Sequence, residues 1–405
     1  MKHIFLFNEN SRAAVYGIGT YIRQLAECFK DRKDVRLHII ELQSGKKEME
    51  IIELADCCTY YFPSTQLSCN KLPIYYRNVW YILKIRMCQL ETSNLIFHLN
   101  YFQEYPLIKL IKNDYPNSKT IFTIHYFDWC FMLKGNSGYF KRIIHTEKEL
   151  ITDNKEMVVF KSYEEEKRLF REVDHVICLS EYAKNLLLEN YAISDKKISL
   201  IYNGLKDEYV QLSQEEKRNI NNQLFFEEHN KIILFVGRLD EIKGVDVLIE
   251  AFKEVVKKDP DTYLIIVGDG DYSTYLKKSA EFWKKIIFTG RLEKDMLYKL
   301  YQIVDLGVMP SFHEQCSYVA IEMMMFDIPL IISTTTGLNE MLSDQESHIE
   351  IIEKDDSVFI SPDLLSQKIL YKLENTSNKK RTINRNRYIA EYTLQKMCDS
   401  INFSI

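Results

Sequence analysis

The chain has 405 residues, enough for two domains of ordinary size, and 46% of them are hydrophobic, which is material for large cores. Charged residues make up 27% and the formal net charge is −5, which argues against nucleic acid as the principal partner, because a phosphate backbone demands a basic surface. Nine cysteines are scattered without a CxxC pair or metal-ligand spacing, so reduced thiols and no metal centre are expected.

The apolar run 4–7 is too short for a secretory signal and meets polar residues at once, so it reads as a buried first strand. No apolar stretch approaches the roughly 20 residues of a membrane span. A cytoplasmic protein is therefore expected, one that touches a membrane only from its surface. Strand patterns follow at 37–40, 95–98, 120–125, 175–179 and 198–202, with helix patterns between them, as at 19–29 and 182–190. In the second half strands are expected at 232–237, 263–268, 286–289, 306–310 and 330–333. The clearest helix is 245–258, where Val245, Leu248, Ile249, Phe252, Val255 and Val256 fall on one face at period 3.6. The stretches 57–77 and 127–147 read as loops of the first domain. The alternation of strand and helix predicts parallel sheets covered by helices, an α/β class with two Rossmann-like αβα domains facing an interdomain cleft. The expected ranges are 1–203 for an N-terminal domain, 204–375 for a C-terminal domain, and 376–405 for a C-terminal helix returning to the first. Ligands of open parallel sheets sit beyond the carboxyl ends of the strands, and most of the candidate residues fall there.

Arg238 and Lys243 bracket the turn after the strand at 232–237, and the helix beginning near Gly244 aims its positive end the same way. Two cations and a helix terminus suit a diphosphate leaving group; the plain alternative is a solvated loop with ordinary surface charges. Glu314 follows the strand at 306–310, and a helix is expected from Ser317 to Phe326. The amides of Ser317, Tyr318 and Val319 lack intrahelical partners and are expected to point at an anion. Glu322 lies a turn and a half into that helix, where a carboxylate is costly unless it accepts hydrogen bonds; a ribose diol is a fitting partner. The alternative is two unrelated glutamates among 58 acidic residues.

His125 closes the strand at 120–125, as a structural or a catalytic group, and His98 reads as a packed core histidine. Gly17 and Gly19 precede the first helix but fail as a dinucleotide fingerprint for want of a third glycine. Glu41 follows the second expected strand, where a ribose-binding acid can sit, so a dinucleotide reading stays open. Asp269-Gly270-Asp271 matches a short cation-binding pattern but reads better as a turn. The stretch 71–90, from Lys71 to Leu90, mixes Lys71, Arg77, Lys84 and Arg86 with Tyr75, Tyr76, Trp80, Tyr81, Ile82 and Leu83. It suits either a helix packed on its own domain or one lying on an anionic membrane.

Together these segments resemble the retaining glycosyltransferases of GT-B fold, family 4 type (glycosyl transferases group 1), over nearly the whole chain and most densely over 232–341. Gly237-Arg238-Leu239-x-x-x-Lys243-Gly244 looks like the family's phosphate-binding loop. Leu264-Ile265-Ile266-Val267-Gly268-Asp269-Gly270 resembles its next strand, and Phe288-Thr289-Gly290-Arg291-Leu292 the stretch that lines the base. Glu314 and Glu322 match its paired glutamates. The resemblance implies that Arg238 and Lys243 hold the donor diphosphate, that Glu314 contacts the transferred sugar and Glu322 the ribose, that His125 lies near the sugar, and that Gly17 offers its amide to the phosphates. It implies a nucleoside-diphosphate sugar as donor and no metal cofactor. The chain departs from the pattern at Gln315, Cys316 and Ser317, where the family has small residues, at Asp327, where it has glycine, and at Tyr16, where another glycine is usual.

The expected activity is transfer of a sugar from a nucleoside diphosphate to an acceptor hydroxyl with retention. Acceptors of this kind include a glycan on a lipid carrier, a peptide side chain and a small molecule. Two rivals stay open: a non-catalytic partner that binds sugar nucleotide or scaffolds a complex, and a sugar-nucleotide epimerase.

Overall fold

The computed structural model describes residues 1–10, 17–30, 32–55, 57–65, 71–91, 94–375 and 383–404. The chain divides into two compact units. The first comprises Met1–Phe127, Thr152–Gly204 and Leu394–Ile405; the second comprises Asp128–Ile151 and Leu205–Thr393. The segment Asp128–Ile151, expected in the N-terminal domain, is thus counted with the C-terminal one.

The first unit holds strands β1 (Lys2–Glu9), β2 (Val35–Ser44), β3 (Glu50–Glu53), β4 (Cys57–Pro63), β5 (Leu95–Leu99), β6 (Lys119–Ile124), β7 (His175–Cys178) and β8 (Ile198–Leu200). They form one sheet in the order β3-β4-β2-β1-β5-β6-β7-β8, parallel throughout except for the antiparallel edge pair β3–β4. All five residues of β5 are buried, as in a central strand covered on both faces. The strand order reverses between β1 and β5, which marks the ligand-binding end of such a sheet. Within the loop expected over 57–77, residues 57–63 form β4 and residues 72–77 begin the helix Leu72–Met87, while residues 66–70 lie outside the described residues. Cys58, Tyr60 and Phe62 alternate inward along β4, a period-two signal carried by residues that look irregular as a string.

The C-terminal helix Leu394–Ser404 packs on the helix Gly17–Phe29 within this unit. Cys28 and Cys398 are joined there by a disulfide, with Cα atoms 5.1 Å apart. This corrects the expectation of reduced thiols throughout. The partners lie 370 residues apart, so only the return of the chain's end to its beginning brings them together.

The second unit holds β9 (Lys231–Val236), β10 (Thr262–Val267), β11 (Ile286–Gly290), β12 (Leu306–Met309), β13 (Leu330–Ser333) and β14 (His348–Ile349). They form a parallel sheet in the order β11-β10-β9-β12-β13-β14, and a separate hairpin pairs β15 (Ile352–Lys354) with β16 (Ser357–Phe359). Here the order reverses between β9 and β12. The helix Val245–Lys258 buries Val245, Leu248, Ile249, Phe252 and Val255 on this sheet. The polar connection before β9 contains a helix, Gln214–Gln223, started by a capping box in which Ser213 and Glu216 satisfy each other's backbone amides.

The stretch expected as a loop over 127–147 holds two helices, Asp128–Met132 and Ser137–His145, docked on the β15–β16 hairpin. Asn136 Nδ2 donates to the Asp355 carbonyl at 3.2 Å, and an Arg142 guanidinium nitrogen to the same oxygen at 2.8 Å. The Glu353 carboxylate accepts from the amides of Ser137 and Gly138, at 3.3 and 3.2 Å. An anion at a helix start is favourably placed against its dipole.

Candidate functional site

Arg238 and Lys243 leave the carboxyl end of β9, and Glu314 leaves that of β12, so the two groups come from the adjacent strands at which the strand order reverses. The turn Glu241–Lys243 ends on Gly244, whose φ of 64° is left-handed. A Cβ at Gly244 would sit 2.0 Å from the Pro310 carbonyl oxygen, so glycine is what lets the β9 loop close on the end of β12. The Phe312 amide then donates to the Ile242 carbonyl at 2.7 Å. This knit brings Lys243 Nζ within 2.5 Å of Glu314 Oε1, with the two side chains only 17% and 14% exposed.

A third loop, after β13, fixes the Glu314 backbone. The Glu314 amide donates to Thr336 Oγ1 at 3.1 Å, the Thr336 hydroxyl donates to the Glu314 carbonyl, and the Gly337 amide donates to the same oxygen at 2.9 Å. Thr335 Oγ1 donates to the Phe312 carbonyl at 2.5 Å. Ser311 Oγ adds a bond to Glu314 Oε1 at 3.3 Å. Burial, and then the Lys243 charge, hold the buried His313 ring down at about 3, so it stays neutral beside this pair. Phe131, from the docked segment, meets the His313 ring edge-on at 5.6 Å.

Arg238 is held by Asp240, at 3.3 Å from its carboxylate. The Asp269-Gly270-Asp271 stretch makes a turn that buttresses this loop: the Leu239 amide donates to the Asp269 carbonyl at 2.8 Å, and the Asp271 amide to the Leu239 carbonyl at 3.3 Å. Asp271 caps the following helix through the Thr274 amide. Gly268, at φ 143°, would place a Cβ 1.8 Å from the Gly237 carbonyl oxygen, so the β9 and β10 ends also meet through a glycine.

Ser317 caps the helix Tyr318–Met325. The Ser317 amide, expected to face an anion, donates instead to the Met341 sulfur at 3.4 Å. Tyr318 and Val319, whose amides are the next two, are half-buried at the helix start. Leu292 is half-buried in the loop after β11. Glu322 is buried, and burial raises its carboxyl above the ordinary range. Its oxygens accept from the hydroxyls of Tyr301 at 3.1 Å and Tyr298 at 3.5 Å, two residues the sequence reading did not single out. Their spacing of three along one short helix and its end was the available signal. Asp327 takes φ 55°, so the position where the resembled family has glycine is indeed left-handed here; Asp327 Oδ1 accepts from the Arg385 amide at 2.9 Å.

In the first unit His125 lies just past β6. Its Nε2 donates to Asn100 Oδ1 at 2.9 Å, and Asn100 Nδ2 donates to the Phe7 carbonyl at 2.9 Å, which leaves Nδ1 as the ring's acceptor. Burial, with His98 second, pushes His125 down to about 3, so it is a neutral imidazole. His98 is fully buried and meets Thr123 Oγ1 at 2.7 Å, a packed core histidine. Glu41 lies inside β2, which runs on past Ile40, and accepts from Asn8 Nδ2 at 2.9 Å. Glu104, fully buried, receives the amides of Asn100 and Tyr101 at 2.9 and 3.1 Å and is raised well above the usual carboxylate range by burial. Gly17 begins its helix exposed, and a Cβ there would meet no atom within 4 Å.

Residues 216–388 match the family model described as Glycosyl transferases group 1, and residues 15–209 match that of Glycosyltransferase Family 4. Among curated proteins, a glycosyltransferase of Methanocaldococcus jannaschii is 33% identical over 184 residues, 44% of this chain and 47% of that protein. The alpha-monoglucosyldiacylglycerol synthase of Streptococcus pneumoniae is 27% identical over 180 residues, 43% of this chain and 40% of that protein. The chain spans about half the length of such relatives. Among solved structures, sucrose-phosphate synthase from Thermosynechococcus elongatus superposes with a TM-score of 0.76 at 19% identity, covering 100% of this chain and 98% of that one. HepE of Anabaena, in complex with UDP, superposes at 0.71 with 16% identity, covering 100% and 99%. These likenesses show the two-domain Rossmann-like GT-B fold. With both halves matched by their models, the chain belongs to the group 1, family 4 type glycosyltransferases.

Proposed function

We propose that this chain transfers a sugar from a nucleoside-diphosphate donor to an acceptor hydroxyl with retention at the anomeric carbon. One observation carries the reading: three loops at the reversal point of the second sheet converge to hold Lys243 against Glu314 at 2.5 Å. A donor diphosphate attracts the Lys243 ammonium, with Arg238 from the same loop, and frees the Glu314 carboxylate to accept from sugar hydroxyls. The charge that develops on the leaving phosphate is neutralised by cations already in position. The bond from the anomeric carbon to the phosphate oxygen breaks, the bond to the acceptor oxygen forms, and the acceptor proton passes to the departing phosphate. Glu322 serves the ribose once the donor displaces Tyr298 or Tyr301 from it, with Ser317, Tyr318, Val319 and Leu292 around the nucleotide.

Two cations make a metal dispensable in this scheme, so the reaction is proposed to be metal-independent. The acceptor is a carbohydrate, lipid-linked or peptide hydroxyl, and the setting is cytoplasmic, with peripheral membrane contact through the stretch from Lys71 to Leu90. No described helix is long and apolar enough to cross a membrane.

The test is chromatographic: purified protein is incubated with nucleotide sugars in excess EDTA, and release of nucleoside diphosphate is followed. Release that survives the chelator supports the reading. Strict dependence on added divalent cation overturns the metal-free scheme. Interconversion of the nucleotide sugars without release points to an epimerase.

A further inference from the structure

The helix Leu72–Met87 has two apolar faces. Its inner face buries Tyr75, Tyr76, Val79, Trp80, Leu83 and Met87 in the first unit. That accounts for the packed helix considered from the sequence, but not for the rest. Ile74 is 44% exposed, Tyr81 54% and Ile85 73%, and these lie seven and eleven positions along one stripe, two and three turns apart. Ile82, also exposed, borders it. Isolated exposed apolar residues need no explanation, but a stripe along one helix does.

The charges that the stretch 71–90 itself carries are all of one sign. Lys71, Arg77, Lys84 and Arg86 flank the stripe, and the stretch 71–90 contains no aspartate or glutamate. Lys84 is paired with Asp114 at 3.0 Å. Among the described residues, Lys71, Arg77 and Arg86 make no ion pair. An apolar stripe between unneutralised cations has the chemistry of a helix lying in an anionic bilayer interface. A second copy of this chain fits poorly, since a two-fold contact would set the same cations against each other.

We propose that the outward face of the helix Leu72–Met87 is a docking surface for an anionic lipid bilayer. Ile74, Tyr81 and Ile85 enter the boundary between headgroups and acyl chains, and Lys71, Arg77 and Arg86 face the lipid phosphates. This deepens the peripheral contact in the function proposed above, but its test needs no transferase activity, so the two fail separately.

The experiment is vesicle co-sedimentation of the full chain with phosphatidylcholine alone and with phosphatidylcholine mixed with phosphatidylglycerol. Binding to the mixed vesicles, weak binding to phosphatidylcholine, and loss of binding with added salt are expected. Each surface cation is worth about fivefold in affinity, so Arg77→Gln with Arg86→Gln should weaken binding roughly 25-fold. Ile74→Ser with Ile85→Ser should weaken it as well, and both double variants should keep the parent's melting temperature. Equal binding to both vesicle types, or parent-like binding by both double variants, overturns the proposal. So does a concentration-dependent dimer lost in the Ile→Ser pair, which would assign the face to a second copy.

Discussion

Replacing Lys243 by alanine removes a charge from a pair that is less than one-fifth exposed on either side. Two consequences follow, and they are separable. Among the described residues, Glu314 Oε1 is left with only the Ser311 hydroxyl at 3.3 Å. Breaking a fully buried ion pair from one side costs about 3–5 kcal/mol, and partial exposure brings this to about 2 kcal/mol. For a domain of this size that corresponds to a drop of roughly 4–8 °C in melting temperature. On turnover, loss of one preorganised group facing developing charge costs about 3 kcal/mol, roughly a hundredfold in kcat. The assays are a thermal melt and donor turnover at saturating nucleotide sugar, which removes any effect on affinity alone. Adding Glu314→Gln to Lys243→Ala should restore part of the melting temperature, because the uncompensated charge is gone, but none of the turnover. Near-normal kcat in Lys243→Ala and in Glu314→Gln would refute the reasoning.

Gly244→Ala should lower the melting temperature more than a surface substitution does and cut turnover with it, because its Cβ meets the Pro310 carbonyl at 2.0 Å and the β9 loop must shift. Glu322→Gln should raise stability near neutral pH while weakening donor binding. The buried carboxyl keeps its proton above the ordinary range, so its penalty is absent below about pH 4.5 and grows as pH rises through the raised value; melting curves for the two proteins should converge in acid, and a variant melting below the parent at neutral pH contradicts this. His125→Gln should reduce the stability lost on acidification. The neutral ring takes a proton only near 3 when folded but near 6.5 when unfolded, so its contribution is present above about pH 6.5 and lost as pH falls toward 3. An unchanged difference in melting temperature between about pH 7 and pH 5 would count against it.

The central strands were legible because β-branched and aromatic runs between turn residues leave few alternatives; β13 runs over 330–333 as read, and most others differ by a residue or two at an end. The short edge elements β3, β14, β15 and β16 were not, since two to four residues carry too little period to register. That Lys243 and Glu314 belong together was legible from their loops, whereas their direct contact depends on Gly244 meeting Pro310, a packing fact with no local trace. The cost of a carboxylate at Glu322 was visible, but its tyrosine partners sit on another helix. The Cys28–Cys398 bond and the seating of Asp128–Ile151 on the second unit are long-range outcomes of the chain's path, which no window of sequence reports.

A thermal-shift comparison of the parent and Lys243→Ala across a panel of nucleotide sugars tests the account most directly. A donor present at about 100 times its Kd should stabilise the parent by about 2.7 kcal/mol, and the alanine variant should lose most of that gain. Equal stabilisation of both proteins, or no response of the parent to any nucleotide sugar, would contradict it.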